Sequence, residues 1–224
     1  MKCYCVEDGT QFVYRVECAT GETHKRLQAD GYWTETADGA FVKEYPLDTD
    51  WEDAWYTVPG YKAAIASNFE RLGSAWITGA FDWEHVLSRL AQMLTENGLD
   101  WYVKGSVSEA VLGAQITPHD IDIVIHTRDF YKARELFIDH TVEPLSDNHG
   151  GWLIRYFGKL CLDGASVDIA ADTSMNSESY PQLTEVMWRG YSLRVEPLQV
   201  RYEVEIQRNR TDRIAAIEAL MQRL

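Results

Sequence analysis

The chain has 224 residues and 25.7 kDa, with 46% apolar and 25% charged side chains, which suits one ordinary folded domain or a catalytic domain with a small extra module. No apolar run approaches the ~20 residues of a membrane-spanning helix, and the start, Met-Lys-Cys-Tyr-Cys-Val-Glu-Asp, lacks the apolar core of a secretory signal, so a cytoplasmic protein without a membrane partner is expected. With 35 acidic against 21 basic residues the net charge is −14, which disfavours nucleic acid as a partner and suits a cationic small molecule or a metal–nucleotide complex.

Residues 1–57 read as a β-rich module with no chemistry of its own. Segments 2–6, 11–18, 31–34 and 40–45 alternate or carry β-branched and aromatic residues, and Asp8-Gly9, Thr20-Gly21 and Asp38-Gly39 separate them as turn signals. A small antiparallel sheet is expected. Cys3, Cys5 and Cys18, with His24, lack the usual spacing of zinc ligands, so buried reduced thiols are the expectation. Trp33, Trp51 and Trp55 offer packing surface or a stacking platform.

Residues 58–98 read as connecting helices. One covers 61–72, after Pro59-Gly60; the other covers 83–97, capped by Asp82 and stopped by Gly98. Val86, Leu87, Leu90, Met93 and Leu94 fall on one face of the second. Residues 99–224 carry a strand at 101–104, a turn at Gly105-Ser106, a helix at 106–112, a strand at 120–125 and a helix at 127–138. Strands at 151–157 and 165–170, a hairpin at 185–195 through Gly190, and helices at 198–208 and 211–223 follow, the first opened by Pro197. This order predicts an α+β fold, a mixed sheet with helices on one face beside the small N-terminal sheet.

The chemistry concentrates in two short segments. Asp120 and Asp122 are two apart on a predicted strand, so both carboxylates project from one face with Cα atoms ~6.6 Å apart, while Ile121, Ile123 and Ile125 face the core. Adjacent like charges repel, and a divalent cation such as Mg²⁺ between them would relieve this. Gly105-Ser106 sits where a strand becomes a helix; glycine permits close approach of the backbone to a ligand, and helix-end N–H groups favour a phosphate. Ser106-x-x-Glu109 also reads as a capping box. A third acid, Asp168, lies between Val167 and Ile169 on a predicted strand, where an ionised side chain is costly unless it is paired or metal-bound. Asp172 is a weaker candidate beyond that strand. His119, Lys104 and Arg128 flank the motif and read as loop or surface residues. Residues 189–224 hold seven basic and five acidic side chains, so an anion would be drawn there, with Arg208 and Arg213 best placed.

Gly105-Ser106, a 13-residue gap over residues 107–119, Asp120-Ile121-Asp122 and Asp168 resemble the motif of the nucleotidyltransferase superfamily with the DNA polymerase β-like fold. The resemblance covers about residues 99–224 and is nearest to the small bacterial antibiotic-adenylyltransferase and minimal-nucleotidyltransferase branches. Arg208-Asn209-Arg210-Thr211-Asp212-Arg213 looks like the Arg-x-Lys-Asp segment of those branches, with Thr211 in place of Lys.

The resemblance implies transfer of a nucleoside monophosphate, AMP from ATP, onto a hydroxyl acceptor. It implies two Mg²⁺ ions held by Asp120, Asp122 and Asp168, which are both metal ligands and catalytic groups, and phosphates held by Gly105 and Ser106. The acid surface points to a small, cationic acceptor. The alternatives are a protein or RNA acceptor, as in toxin–antitoxin pairs, or a non-catalytic nucleotide-binding and assembly module. Homo-oligomerisation stays open.

Overall fold

Apolar–polar alternation in the first segments builds strands, and the 3.6-residue stripe after Asp82 builds a helix. In this computed structural model, residues 1–9, 11–29, 33–46, 60–78, 81–147, 154–172 and 182–223 are described. In chain order the elements are β1 (Lys2–Glu7), β2 (Gln11–Glu17), α1 (Gly21–Ala29), β3 (Thr34–Glu35), β4 (Phe41–Pro46), α2 (Tyr61–Thr78) and α3 (Trp83–Glu96). Then come β5 (Trp101–Lys104), α4 (Gly105–Val111), β6 (Ile121–His126), α5 (Phe130–Leu136), β7 (Thr141–Asp147) and β8 (Tyr156–Leu162). The last are β9 (Ala165–Asp172), β10 (Thr184–Trp188), β11 (Tyr191–Val195), α6 (Leu198–Gln207) and α7 (Thr211–Met221). No described helix is long and apolar enough to cross a membrane.

The chain forms two compact units, Met1–Phe81 with Arg134–Ala165, and Asp82–Ala133 with Ser166–Leu224. In the first, an antiparallel sheet of order β1-β2-β4-β3 packs with α2, and β7 and β8 pair antiparallel. Phe12, Tyr14, Phe41, Ile65, Phe69, Leu72, Val142 and Cys161 share one core. The Tyr14 hydroxyl donates to the Val142 carbonyl at 2.6 Å. Trp33 stacks on Phe69, so it packs; Trp51 and Trp55 lie outside the described residues. Cys3 and Cys5 face this core, and burial pushes their thiols up to about 11 and about 12, which keeps them protonated and inert.

Three local expectations change. Residues 21–29, of which only Gly21 was assigned, to a turn, form α1, in which Leu27 is buried. A helix with so narrow an apolar contact leaves no periodic signal. Residues 141–147, for which no element was expected, form β7; its ladder to β8 shifts register between Glu143 and Ser146, the kind of irregularity that tolerates Pro144. The strand expected at 151–157 is β8, which begins at Tyr156, with residues 151–153 outside the described set.

In the second unit the strands run β10-β11-β5-β6-β9. β10–β11 and β5–β6 are antiparallel, whereas β11–β5 and β6–β9 are parallel, so the sheet is mixed as expected. Helix α3 packs on β11, α4 on β5, β6 and α6, and α6 on α7. The Asp82 cap is formed, its carboxylate accepting from the His85 N–H at 3.0 Å.

Two measurements probe the first unit. A Cβ on Gly73 of α2 would collide with Cys3 Sγ and lie 2.5 Å from Cys3 Cβ on β1. Gly73→Ala should therefore cost about 1–3 kcal/mol by overpacking, read from urea unfolding. Burial favours the neutral form of Glu143, yet Lys43 at 2.9 Å and Lys159 outweigh it and hold its carboxyl below the usual range. A lowered folded value means that this contribution to stability is present above the ordinary glutamate pKa of about 4.3 and is lost as pH falls through the lowered value. Acid unfolding of Glu143→Gln should lack that component.

Candidate active site

Strand β5 ends at Lys104, and Gly105, at φ +68°, swings the chain into α4. Lys104 pairs in register with Asp122 of β6, so the turn lies beside that carboxylate. A Cβ on Gly105 would collide with Asp122 Oδ2 and sit 3.1 Å from its Cγ. Both the positive φ and the clearance require glycine. Asp122 in turn pairs with Asp168 across the parallel β6–β9 ladder. Partners in such a ladder lie ~4.8 Å apart and point to the same face. Val167 and Ile169 on either side of Asp168 are fully buried, and the Ser166 hydroxyl donates to Asp168 Oδ1 at 3.4 Å.

Asp120 occupies the bend one residue before β6 rather than the strand itself. The backbone thus brings Gly105, Asp122 and Asp168 together and leaves Asp120 at the entrance to β6. Asp172 ends β9 in register with His126, four residues further along. Among the described residues no three His, Cys, Asp or Glu side chains are grouped as metal ligands. The fit of a divalent ion therefore rests on the Asp122–Asp168 juxtaposition, a pair of hard oxygen donors of the type that Mg²⁺ accepts.

Ser106 is 2% exposed, and its hydroxyl has no hydrogen-bond partner among the described residues. A buried hydroxyl without a partner is uncommon and calls for one. The expected capping box does not form, because Lys104 takes the cap position and Glu109 turns away to Arg201. Ser108 instead donates to the Gly105 carbonyl at 2.7 Å, tightening the turn.

Beside the turn lies a buried charge cluster that the sequence did not announce. Arg201 of α6 is 2% exposed. Its Nε donates to Glu109 Oε1 at 2.8 Å, its Nη1 to Glu196 Oε2 at 3.2 Å, and its Nη2 to Glu205. Burial would lower the Arg201 pKa, but Glu109 and Glu196 lead the surrounding carboxylates in raising it. Burial raises the Glu109 pKa despite Arg201. Arg210 and Arg213 lie 3.6 and 3.9 Å from Glu205, within ion-pair range. Arg128 bonds Asp100 at 3.0 Å, beyond the far end of β6 from Asp122, and His119 is exposed.

The sequence matches no family model and no curated protein. Among solved structures, a candidate nucleotidyltransferase from Thermotoga maritima is similar at 21% identity and TM-score 0.47, over 62% of this chain and 92% of that one. The lincosamide antibiotic adenylyltransferase LnuA, with lincomycin bound, is similar at 11% identity and TM-score 0.48, over 61% and 96%. ANT(2'')-Ia in complex with adenylyl-2''-tobramycin is similar at 9% identity and TM-score 0.41, over 61% and 93%. Such identities and scores leave the chemistry of this chain to be judged from its own residues.

Among the described residues Arg201 is the one buried cation beside the three buried carboxylates of Glu109, Glu196 and Glu205, so its loss removes the hydrogen-bonded cation that they share. Arg201→Met should destabilise the second unit by about 3–5 kcal/mol in denaturant unfolding. Adding Glu109→Gln should recover part of the loss.

Proposed function

We propose that the second unit is a metal-dependent nucleotidyltransferase that moves a nucleoside monophosphate, AMP from ATP, onto a hydroxyl acceptor, most simply a small and cationic molecule. The observation that carries this reading is the meeting of a side-chain-free turn at Gly105, an unpartnered buried hydroxyl at Ser106, and the Asp122 and Asp168 carboxylates on adjoining parallel strands. A phosphate supplies the acceptor that the Ser106 hydroxyl lacks. Gly105 leaves the backbone bare where the phosphate chain would approach.

Asp122 and Asp168 would hold the divalent ions, with Asp120 adding a donor from the bend. When bound, such ions neutralise phosphate charge and make the acceptor hydroxyl more acidic. The acceptor oxygen attacks the α-phosphorus, the bond to the bridging oxygen breaks, and pyrophosphate leaves. Asp168 is assigned to the acceptor side, where it takes the hydroxyl proton. Positioning and charge neutralisation do most of the work in phosphoryl chemistry, which agrees with a site made of a turn and carboxylates.

Calorimetry with ATP, in Mg²⁺ and in EDTA, tests the reading. Binding should depend on the metal; equal affinity in both, or no binding in either, would reject it. Gly105→Ala should abolish binding, because its Cβ collides with Asp122. Ser106→Ala should weaken it about tenfold, the value of one good hydrogen bond to a charged group. Asp168→Asn should lower AMP transfer by about 10²–10⁴-fold, with a melting temperature in EDTA that is unchanged or higher, since a like charge next to Asp122 is gone. A clear fall in that temperature would make Asp168 a structural residue instead.

A further inference from the structure

We propose that Glu196 is a positioning residue for the nucleotide: locked by Arg201, its carboxylate sets the Gly105-Ser106 turn, which makes the start of α6 part of the nucleotide site. The inference rests on the nucleotide reading of that turn.

Glu196 grips the β5–α4 junction at three successive residues. Its backbone N–H donates to the Val103 carbonyl at 3.1 Å. Its Oε1 lies 3.8 Å from the Lys104 ammonium, and its Oε2 accepts the Gly105 N–H at 3.3 Å. The same Oε2 takes Nη1 of Arg201, so the carboxylate is fixed from behind by a side chain that is itself buried. Arg201 also bonds Glu109 in α4, so one guanidinium is tied to chain on both sides of Ser106.

A glycine at a strand-to-helix turn has wide conformational freedom, and something must select the one conformation in use. The β5–β6 ladder fixes Lys104 and the helix fixes residues after Ser106, but the Gly105 amide is held by Glu196. Releasing that amide would let the turn move relative to Asp122 and carry the Ser106 hydroxyl with it. A purely structural cluster would affect stability alone; a positioning role affects the Gly105 amide and the nucleotide together.

Glu196→Gln and Glu196→Ala separate the two. Both Oε2 partners are donors, so a glutamine would keep its carbonyl oxygen toward Gly105 and Arg201. Losing one negative charge is tolerable, because Arg201 retains Glu109 and Glu205. Two readouts are taken on the full chain: amide hydrogen exchange at Gly105 without nucleotide, and calorimetric affinity for ATP with Mg²⁺. In Glu196→Ala, Gly105 exchange should accelerate and ATP affinity should fall, each at least about tenfold. Glu196→Gln should stay within about threefold of the native chain in both. Should the alanine variant fail to fold, Glu196→Asp, which keeps the charge but is one methylene too short for Gly105, should show the same losses. Native affinity in a folded Glu196→Ala or Glu196→Asp overturns the positioning role and leaves the nucleotide reading intact. No ATP binding by the native chain overturns the reading itself, and the positioning role with it. Equal losses in the glutamine and alanine variants would trace the effect to charge, and would also overturn the role assigned to the Gly105 hydrogen bond.

Discussion

Gly105 must cross Asp122 with no side chain between them, and the second unit is arranged around that contact. The β5–β6 register places Lys104 against Asp122, so the next residue is forced over the carboxylate as the chain leaves the strand. Any Cβ there would collide, and the φ of +68° would be strained for any other residue. The parallel β6–β9 register then fixes Asp168 beside Asp122. A single glycine and two ladder registers thus determine where a backbone turn, a hydroxyl and two carboxylates meet. The arrangement tolerates little variation, because a one-residue slip of β9 would send Asp168 to the opposite face.

Such a site is poor in intrinsic stability. Like charges on adjoining strands repel each other, and Ser106 buries a hydroxyl that has no partner among the described residues. Next to them the protein places a second costly feature, a buried guanidinium among three carboxylates. Buried ion clusters seldom add net stability over apolar packing of the same volume. What they add is geometric definition, since the guanidinium fork accepts only certain oxygen positions. Arg201 joins α6, α4 and the residue after β11 through such bonds. The core of the first unit, with Phe12, Tyr14, Phe41, Phe69 and Leu72, is closed by apolar contact and by the Tyr14–Val142 hydrogen bond, and its buried Glu143 is paired with Lys43.

What could be read in the sequence follows from how local each signal is. Gly105-Ser106 and Asp120-Ile121-Asp122 are short and carry their meaning in neighbouring residues. Asp168 was visible because an acid between Val167 and Ile169 violates the apolar pattern of its strand. The buried cluster was not visible. Glu109 and Arg201 are 92 residues apart, Glu196 and Gly105 are 91 apart, and each Glu or Arg in isolation looks like solvated helix surface. The spacings of Arg201 to Glu196 and to Glu205 were local, but an i, i+4 pair is ordinary on an exposed helix. The Ser106-x-x-Glu109 spacing even pointed the wrong way, to a capping box, because a sequence cannot show that a buried arginine competes for the glutamate. Pro144 in β7 is a similar case: the local rule against proline in strands holds except at an irregularity that only the partner strand reveals.

The same cluster changes the electrostatic reading of the C-terminal helices. By composition that region is the positive part of the chain, and an anion would be expected to settle there. In the folded unit, however, part of that charge is engaged with carboxylates, while Arg208 is exposed. Arg201 is enclosed, and Arg210 and Arg213 flank the fully buried Glu205. Beside the turn stands Lys104, which is half exposed and lies within ion-pair range of Glu196 but beyond hydrogen-bond range. Its ammonium can therefore turn outward without breaking a hydrogen bond to that carboxylate. It also pairs with Asp122 in register, so one cation stands where β5 ends and the carboxylates begin. Arg201 of α6 thus acts on the site mechanically, by fixing carboxylates that hold the turn.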